Sequence, residues 1–197
     1  MNIIKKLAVV AACMFTASMA HATPFSYSGA GAGNVDTNPA FTIDLFAADF
    51  GTITDVNLDV TITGGHMEDF DVFLSHGGTT VKVHNDLTSP FNHLDNFTMT
   101  FDDEAANPWS NAGIDAVNGI GTFQPFSPLS AFDGLDLNGI WTLSILDSYA
   151  PNEGNVLVNW TVYGTADVPE PGILSLLGLS MLGLFGARRR KIRHAAV

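Results

Sequence analysis

The side chains that could support chemistry in this sequence are mainly carboxylates held in two short segments. Residues 68–71 contain one glutamate and two aspartates, and residues 102–104 contain two aspartates and one glutamate. Calcium takes six to eight oxygen ligands, commonly carboxylates from loops, so these segments predict a Ca²⁺ site with calcium as a candidate cofactor. The candidate ligands are Asp69, Asp71, Asp103 and Glu104. The alternative, which we favour on the sequence alone, is that these acids are solvated turn and strand-end residues that keep the protein soluble.

A tryptophan in a polar loop is the other candidate binding residue. Trp109 lies in the run Asn107–Asn111, where its ring could stack on a sugar, so it predicts a glycan-stacking site. The alternative is that Trp109 packs over the edge of the fold. Trp141 and Trp160 occupy inward positions of predicted strands, and we expect both in the core.

The sequence contains no arrangement typical of an enzyme active site. His66, His76, His84 and His93 form neither H-E-x-x-H nor a close metal-binding pair, and we expect each to be a surface or loop residue. There is no G-x-S-x-G elbow, phosphate loop or dinucleotide fingerprint. These features predict that the protein is not an enzyme, with a cryptic hydrolase as the less favoured alternative.

The basic residues are concentrated at the two ends of the chain. The 197 residues include 20 acids and 8 Lys or Arg, for a net charge of −12. Lys82 is the only Lys or Arg between Lys6 and Arg188. Binding to a nucleic-acid backbone needs clustered Lys and Arg, so the acidic central region excludes nucleic acid as a partner. It also makes divalent cations the first ligand to test.

The elements that must position these residues are β-strands. Apolar and polar residues alternate with a period of two over several segments, and Gly, Pro, Asn and Asp occupy the gaps. The apolar positions are Phe41, Ile43, Leu45, Val56, Leu58, Val60, Ile62, Phe70, Val72, Leu74, Val81, Val83, Phe97, Met99, Phe101, Trp141, Leu143, Ile145, Val156, Val158, Trp160 and Val162. One apolar face per strand is typical of antiparallel sheets packed face to face. The sequence therefore predicts an all-β, antiparallel β-sandwich.

Residues 1–22 have the pattern of a secretory signal peptide. Two lysines precede a charge-free apolar stretch, and Ala20-His21-Ala22 forms an A-x-A cleavage site. Cys13, the only cysteine, would be lost with this peptide, so the mature chain would have no disulfide. Residues 23–49 follow as a lead-in and first strand, and their glycine-rich stretch, Gly29–Gly33, is expected to be flexible.

The other end carries a short apolar segment between a proline-rich entry and a basic cluster. Val168-Pro169-Glu170-Pro171 precedes the uncharged run 172–187, which Arg188-Arg189-Arg190-Lys191 follows. A helix over this run would span about 24 Å, less than a hydrocarbon core of about 30 Å. We therefore predict a single short transmembrane helix whose basic end stays in the cytoplasm.

This ending resembles the PEP-CTERM sorting signal of Gram-negative bacteria over residues 167–191. The resemblance rests on the order and spacing of the proline motif, the apolar run and the arginine cluster. It implies that an exosortase, a membrane-embedded enzyme, cuts the chain near the motif and passes the protein to the cell surface or extracellular matrix. The implied recognition residues are Pro169, Glu170, Pro171, Arg188, Arg189 and Arg190.

The central region resembles a second family, the P domain (P/Homo B) that follows subtilisin-like proprotein convertases. The resemblance covers residues 50–164, and its most specific parts are Phe101–Ala105 (FDDEA) and Gly139–Leu143 (GIWTL) with the later Asp147 and Trp160. It implies an eight-stranded jelly-roll fold. It also implies that calcium binding is worth testing, because some P domains are thought to bind calcium.

Together these features predict an exported protein without enzymatic activity that an exosortase-type system sorts to the surface or matrix. Its P-domain-like module would serve interaction or structural display, with a Ca²⁺- or glycan-binding module as the alternative. The expected processing partners are signal peptidase and an exosortase, and the inner membrane would hold the C-terminal helix transiently. Exopolysaccharide or surface proteins are the candidate partners of the module. The expected domain order is signal peptide 1–22, lead-in and first strand 23–49, P-domain-like sandwich 50–166 and sorting signal 167–197.

Overall fold

The structure, a computed structural model, describes residues 21–31, 33–37, 39–86, 94–110, 114, 117–149 and 154–168. The strands in these ranges are β1 (His21–Ala30), β2 (Phe41–Ala47), β3 (Thr52–Thr63), β4 (Phe70–His76), β5 (Thr79–His84), β6 (Asn96–Phe101), β7 (Ile120–Phe123), β8 (Gly139–Asp147) and β9 (Val156–Val168). Two short 3₁₀ turns, Met67–Asp69 and Leu129–Phe132, precede β4 and β8. Within these ranges no helix is long and apolar enough to cross a membrane. The predicted C-terminal helix, and all of the predicted signal peptide except His21 and Ala22, lie outside the described residues.

The strands form two sheets, so the predicted all-β class is confirmed. One sheet has the order β1-β9-β3-β6-β7, and the other has the order β2-β8-β4-β5. β3 pairs antiparallel with β6 and β9, and β8 pairs antiparallel with β2 and β4. β7 joins β6 in parallel, which the antiparallel prediction did not include. A parallel neighbour needs a crossover of a dozen residues or more, and residues 102–119 between the two strands are long enough to supply it.

The predicted alternation builds the core. In β4, Phe70, Val72 and Leu74 are buried, and the residues between them are partly exposed. Trp141 and Trp160 have no exposed surface, as predicted, and they come from different sheets. Burying a large apolar side chain stabilises a fold by about 1.5–3 kcal/mol. Because a shift of one residue would turn every apolar side chain outward, this burial fixes the register of each strand.

The alternation predicted for the start of β9 is wrong. Val156 and Val158 are exposed, and Leu157 is buried instead. Consecutive residues of β3 lie opposite Asn159 and Leu157, so Val158 is an extra residue in a β-bulge. The bulge reverses which face turns inward, and the predicted pattern holds only from Trp160 onward.

The glycine-rich stretch predicted to be flexible packs closely against β9. Gly29 lies against a core tryptophan, and a Cβ on Gly31 would collide with the carbonyl group of Leu157. Gly31 N–H donates a hydrogen bond to the Val158 carbonyl oxygen at 2.9 Å. These glycines therefore allow two chain segments to approach closely. Residues 23–49 contribute to two strands, β1 and β2, rather than to the one predicted.

A two-residue turn sets the geometry of the β4–β5 hairpin. Gly77 and Gly78 have φ values of 56° and 84°, and they connect His76 to its cross-strand partner Thr79. Two consecutive positive φ values are typical of a type I′ turn, whose twist matches that of the flanking strands. The resulting register brings Lys82 onto the face of the sheet that carries Asp71, the one acid of β4.

Candidate functional site

Asp71, a predicted calcium ligand on β4, is paired within the protein. Lys82 Nζ donates a hydrogen bond to Asp71 Oδ2 at 2.8 Å, and Asp86 N–H donates to Asp71 Oδ1 at 2.9 Å. Both oxygens of this carboxylate therefore have partners. A cation at Asp71 would have to compete with the ammonium group of Lys82.

Asp69 ends the first 3₁₀ turn and lies among other acids. Burial raises the pKa of Asp69, the charges of Glu68, Asp86 and Asp147 raise it further, and His66 opposes them. Like-charge repulsion of this kind favours binding of either a proton or a cation. Asp69 thus lies among like charges, whereas Asp71 is paired with Lys82.

Asp103 has a structural role that the sequence did not reveal. Its two carboxylate oxygens accept hydrogen bonds from Leu129 N–H and Ser130 N–H, both at 2.8 Å. These N–H groups begin the second 3₁₀ turn, and the residue before the turn, Pro128, makes no side-chain cap. Asp103 therefore supplies from a distant loop the cap that the turn lacks locally.

Glu104 belongs to a second acidic group. A side-chain hydrogen bond to Asp102 is the main cause that raises the pKa of Glu104, and the charge of Asp55 adds to it. Burial raises the pKa of Asp55, and the charges of Asp102 and Asp103 raise it further. Asp133 has a pKa raised by burial and then by Asp55 and Asp103. Asp55 and Asp133 were not predicted, although the alternation along β3 places Asp55 on the outward face.

The four predicted calcium ligands thus fall into two acidic groups. Asp69 ends the 3₁₀ turn before β4 and Asp71 lies on β4, whereas Asp103 and Glu104 follow β6 in the other sheet. Within the described residues, no three His, Cys, Asp or Glu side chains are grouped so that they could hold a metal ion. The sequence spacing could not show this separation, because it does not reveal which sheet a strand joins. The calcium site stays a prediction.

His84 is completely buried, so its prediction as a surface or loop residue is wrong. Its Nδ1 donates a hydrogen bond to the Phe70 carbonyl oxygen at 2.9 Å, because a carbonyl group can only accept. Its Nε2 is buried and has no hydrogen-bond partner within the described part of the chain. The rings of Phe97 and Trp109 lie 5.1 and 6.3 Å away between centroids. Burial lowers the pKa of His84 to about 4, so the side chain is neutral at physiological pH.

His76 is also buried, against prediction, and its ring is held on both sides. It stacks on Trp141 with centroids 4.0 Å apart and an interplanar angle of 7°. Its Nδ1 lies 3.0 Å from the Ile140 carbonyl oxygen, and its Nε2 lies 2.6 Å from that of Asp136. These contacts connect the end of β4 to the start of β8 and to the residues just before it.

The two buried histidines enter the core for different reasons. His76 continues the inward alternation of β4, which the sequence analysis applied to apolar residues alone. His84 turns inward because Val83 is an extra residue in the pairing of β5 with β4. His66 is exposed, as predicted, and His93 lies outside the described residues.

Trp109 is half-buried and packs against the sandwich. Its ring makes an edge contact with Phe126 at 4.9 Å between centroids, and its Nε1 atom is buried. These contacts support the alternative in which Trp109 packs over the edge of the fold. The glycan-stacking site stays a prediction.

The predicted sorting residues lie outside the described residues; Pro169, Glu170 and Pro171 come directly after Val168, the last residue of β9, and the arginines follow at 188–190. Residues 167–191 match the family described as "PEP-CTERM protein-sorting motif". This match confirms the predicted motif, and it supports exosortase-dependent sorting of an exported protein to the bacterial cell surface. No curated protein matches the chain significantly.

Two solved structures similar to the chain contain a serine protease of Aeromonas sobria. The protease itself is 14% identical with a TM-score of 0.44, and the match covers 75% of this chain and 28% of the protease. In the complex of the protease with its chaperone (ORF2), the identity is 14%, the TM-score is 0.46, and the match covers 81% of this chain and 29% of the other. The chain thus spans less than a third of the proteases that it matches.

The prediction that the chain is not an enzyme is contradicted by these matches, because both solved proteins are serine proteases. The prediction rested on the lack of familiar motifs in this sequence, which is not evidence against catalysis. The catalytic activity named in those titles belongs to the proteases themselves.

Proposed function

We propose that the chain is an exported surface protein whose sandwich is a P-domain-like jelly roll that serves interaction or structural display. The observation that carries this proposal is the position of the PEP-CTERM match, which begins at residue 167, within the last two residues of β9. The motif therefore begins where the compact unit Ala22–Asp167 ends. A cut near the motif would release the folded unit without breaking a strand pair of its core.

The proposed order of events follows from the chemistry of the two ends. Residues 1–22 direct export, and the apolar run 172–187 then holds the intermediate in the inner membrane. Pro169, Glu170 and Pro171 are the residues that the exosortase would recognise. Arg188–Arg190 retain the last residues on the cytoplasmic side.

The charge of the sandwich supports a role outside the cell envelope. Lys82 is the only Lys or Arg between the two basic ends, and its ammonium group is already paired with Asp71. A strongly acidic surface favours solubility and selects cationic partners over anionic ones. Surface proteins with basic segments, or exopolysaccharide bridged by divalent cations, fit that requirement.

Sorting can be tested with a single substitution in the motif. We expect Glu170→Ala to leave the protein in the membrane fraction, whereas the wild-type protein reaches the surface fraction. The matched control is Asp95→Asn, which changes an exposed acid of the sandwich and should sort normally. In a strain without its exosortase, the wild-type protein should also stay in the membrane fraction. Normal surface delivery in both cases would overturn the proposal.

A further inference from the structure

The two edge strands of the four-stranded sheet differ in how their outer backbone groups are used. The edge of β5 is closed, because Phe126 N–H donates to the Val83 carbonyl oxygen at 2.8 Å and Ser127 N–H donates to that of Lys82 at 2.9 Å. β2 pairs with β8 over Phe41–Ala47, and within the described part of the chain no other strand pairs with it. The outer N–H and C=O groups of residues 41–46 can therefore bond to an added strand, whereas the Ala47 carbonyl oxygen accepts a hydrogen bond from Asn138 Nδ2 at 3.2 Å.

The inward side chains of β2 are incompletely covered. Phe41, Ile43 and Leu45 pack against the core but remain partly exposed, whereas Trp141 and Leu143 of the neighbouring β8 are fully buried. A strand beside β2 would bring this sheet to five strands, the number in the other sheet. Apolar residues on the inward face of that strand would cover the three partly exposed side chains.

The outward face of β2 carries two features that select a partner. Phe46 is 62% exposed and lies opposite Ile140, which is 56% exposed. Asp44 is exposed on the same face, two residues before Phe46, and its Oδ1 accepts a hydrogen bond from the Thr142 hydroxyl at 2.7 Å. An added strand would meet an apolar residue at one outward position and a negative charge at the next.

We propose that β2 binds an extended peptide strand of another protein, with apolar residues on alternate positions and a Lys or Arg opposite Asp44. Backbone hydrogen bonds would supply affinity, and the alternate side chains would supply selectivity. Charge complementarity points to a cationic partner, because the folded region carries a single lysine among its acids. The inference rests on the interaction role proposed above, but its test involves no sorting step, so either can fail without the other.

A second copy of this chain is the less suitable occupant of the edge. Asp44 is the middle residue of Phe41–Ala47. Two β2 strands paired antiparallel over all seven residues would therefore place the two Asp44 side chains directly opposite each other. Like charges opposite each other destabilise a strand pair, and both chains carry a large negative charge. Asp44 thus disfavours self-pairing and favours a cationic strand.

The test uses the full chain and a synthetic peptide, Lys-Val-Phe-Val-Lys-Val-Thr-Val-Lys. In antiparallel pairing its central lysine lies opposite Asp44 and its phenylalanine lies opposite Phe46. A matched peptide carries Glu in place of the central lysine. We expect the glutamate peptide to bind about tenfold more weakly, because losing the cross-strand attraction and adding a repulsion each change affinity by up to about fivefold. Hydrogen exchange should slow in residues 41–47 when the lysine peptide binds.

Two protein variants separate this proposal from non-specific attraction of a cationic peptide. Asp44→Lys should reverse the preference, so that the glutamate peptide binds more tightly than the lysine peptide. Asp95→Lys makes the same charge change on an exposed acid beside the other sheet, and it should leave the preference unchanged. The proposal is overturned if both variants weaken binding equally or if residues 41–47 gain no protection. Sedimentation that shows a dimer of the full chain paired through β2 would also overturn it.

Discussion

The buried histidine at the end of β5 makes the stability of the protein depend on pH in a way that can be isolated. Burial lowers the pKa of His84 to about 4, and the charge of Lys82 acts in the same direction. The hydrogen bond to Phe70 and the charge of Asp71 partly oppose this shift. In the unfolded chain the same side chain has a pKa of about 6.5. Between these values the unfolded state binds more protons than the folded state, so stability falls as pH falls.

The magnitude follows from the difference between the two pKa values. A difference of about 2.5 units at about 1.4 kcal/mol per unit amounts to roughly 3.5 kcal/mol, which is present at high pH and lost by about pH 4. About 2 kcal/mol of this should be lost between pH 7 and pH 5. The pKa values of Asp55, Asp69 and Asp133 are raised, so these groups bind protons more readily in the folded state and act in the opposite direction.

The substitution His84→Asn separates the contribution of His84 from that of the acids. The asparagine amide can replace Nδ1 as donor to the Phe70 carbonyl group, but it does not titrate. Urea unfolding followed by tryptophan fluorescence at pH 7, 6 and 5 gives the free energy of unfolding of each variant. We expect the wild-type value to fall about 2 kcal/mol more than the variant value between pH 7 and pH 5.

A second variant controls for the removal of any histidine. His66→Asn changes an exposed side chain, and it should leave most of the wild-type pH dependence in place. Equal pH dependence of the wild-type protein and His84→Asn would refute the reasoning. It would mean that a proton reaches His84 in the folded state without the cost of burial.

Three further predictions test the structure at other positions. Asp103→Ala should lower the free energy of unfolding by about 1 kcal/mol, because two N–H groups of a 3₁₀ turn lose their acceptor. The control variant Glu104→Ala should change it little. Equal urea midpoints for the two variants would contradict the cap. Gly31→Ala should lower the melting temperature markedly, since its Cβ would meet the backbone of β9. Gly65→Ala is the control, because it adds a Cβ in open space. A larger fall in melting temperature for Gly65→Ala than for Gly31→Ala would rule out the close approach. The calcium hypothesis predicts that millimolar Ca²⁺ raises the melting temperature and that Asp69→Asn reduces the rise. Identical melting curves in calcium and in chelator would count against it.

Most of the sandwich could be predicted from the sequence because burial of alternate side chains leaves a direct pattern. The strand that contains Val56, Leu58, Val60 and Ile62 shows this, since all four are buried. β1 could not be predicted in the same way. Its contact with β9 depends on Gly29 and Gly31. A glycine in the sequence does not show whether it provides flexibility or close packing.

The candidate site was less predictable because its side chains depend on tertiary contacts. The acids were found as residue types, but the cap formed by Asp103 joins positions 26 residues apart and leaves no local pattern. His84 is buried by a bulge, and the extra residue in a bulge changes the inward face without a clear sequence signal. The open edge of β2 also depends on sheet order, which alternation does not specify. By contrast, the sorting motif is a contiguous segment and could be recognised directly.

The mass of the mature protein recovered from the cell surface tests the central claim most directly. Exosortase processing near the motif predicts that this protein ends close to Pro169–Pro171 and lacks residues 188–197. Mass spectrometry of the intact chain and of its C-terminal peptide would measure both. Surface-located protein that retains an intact tail from Arg188 to Val197 would contradict the claim.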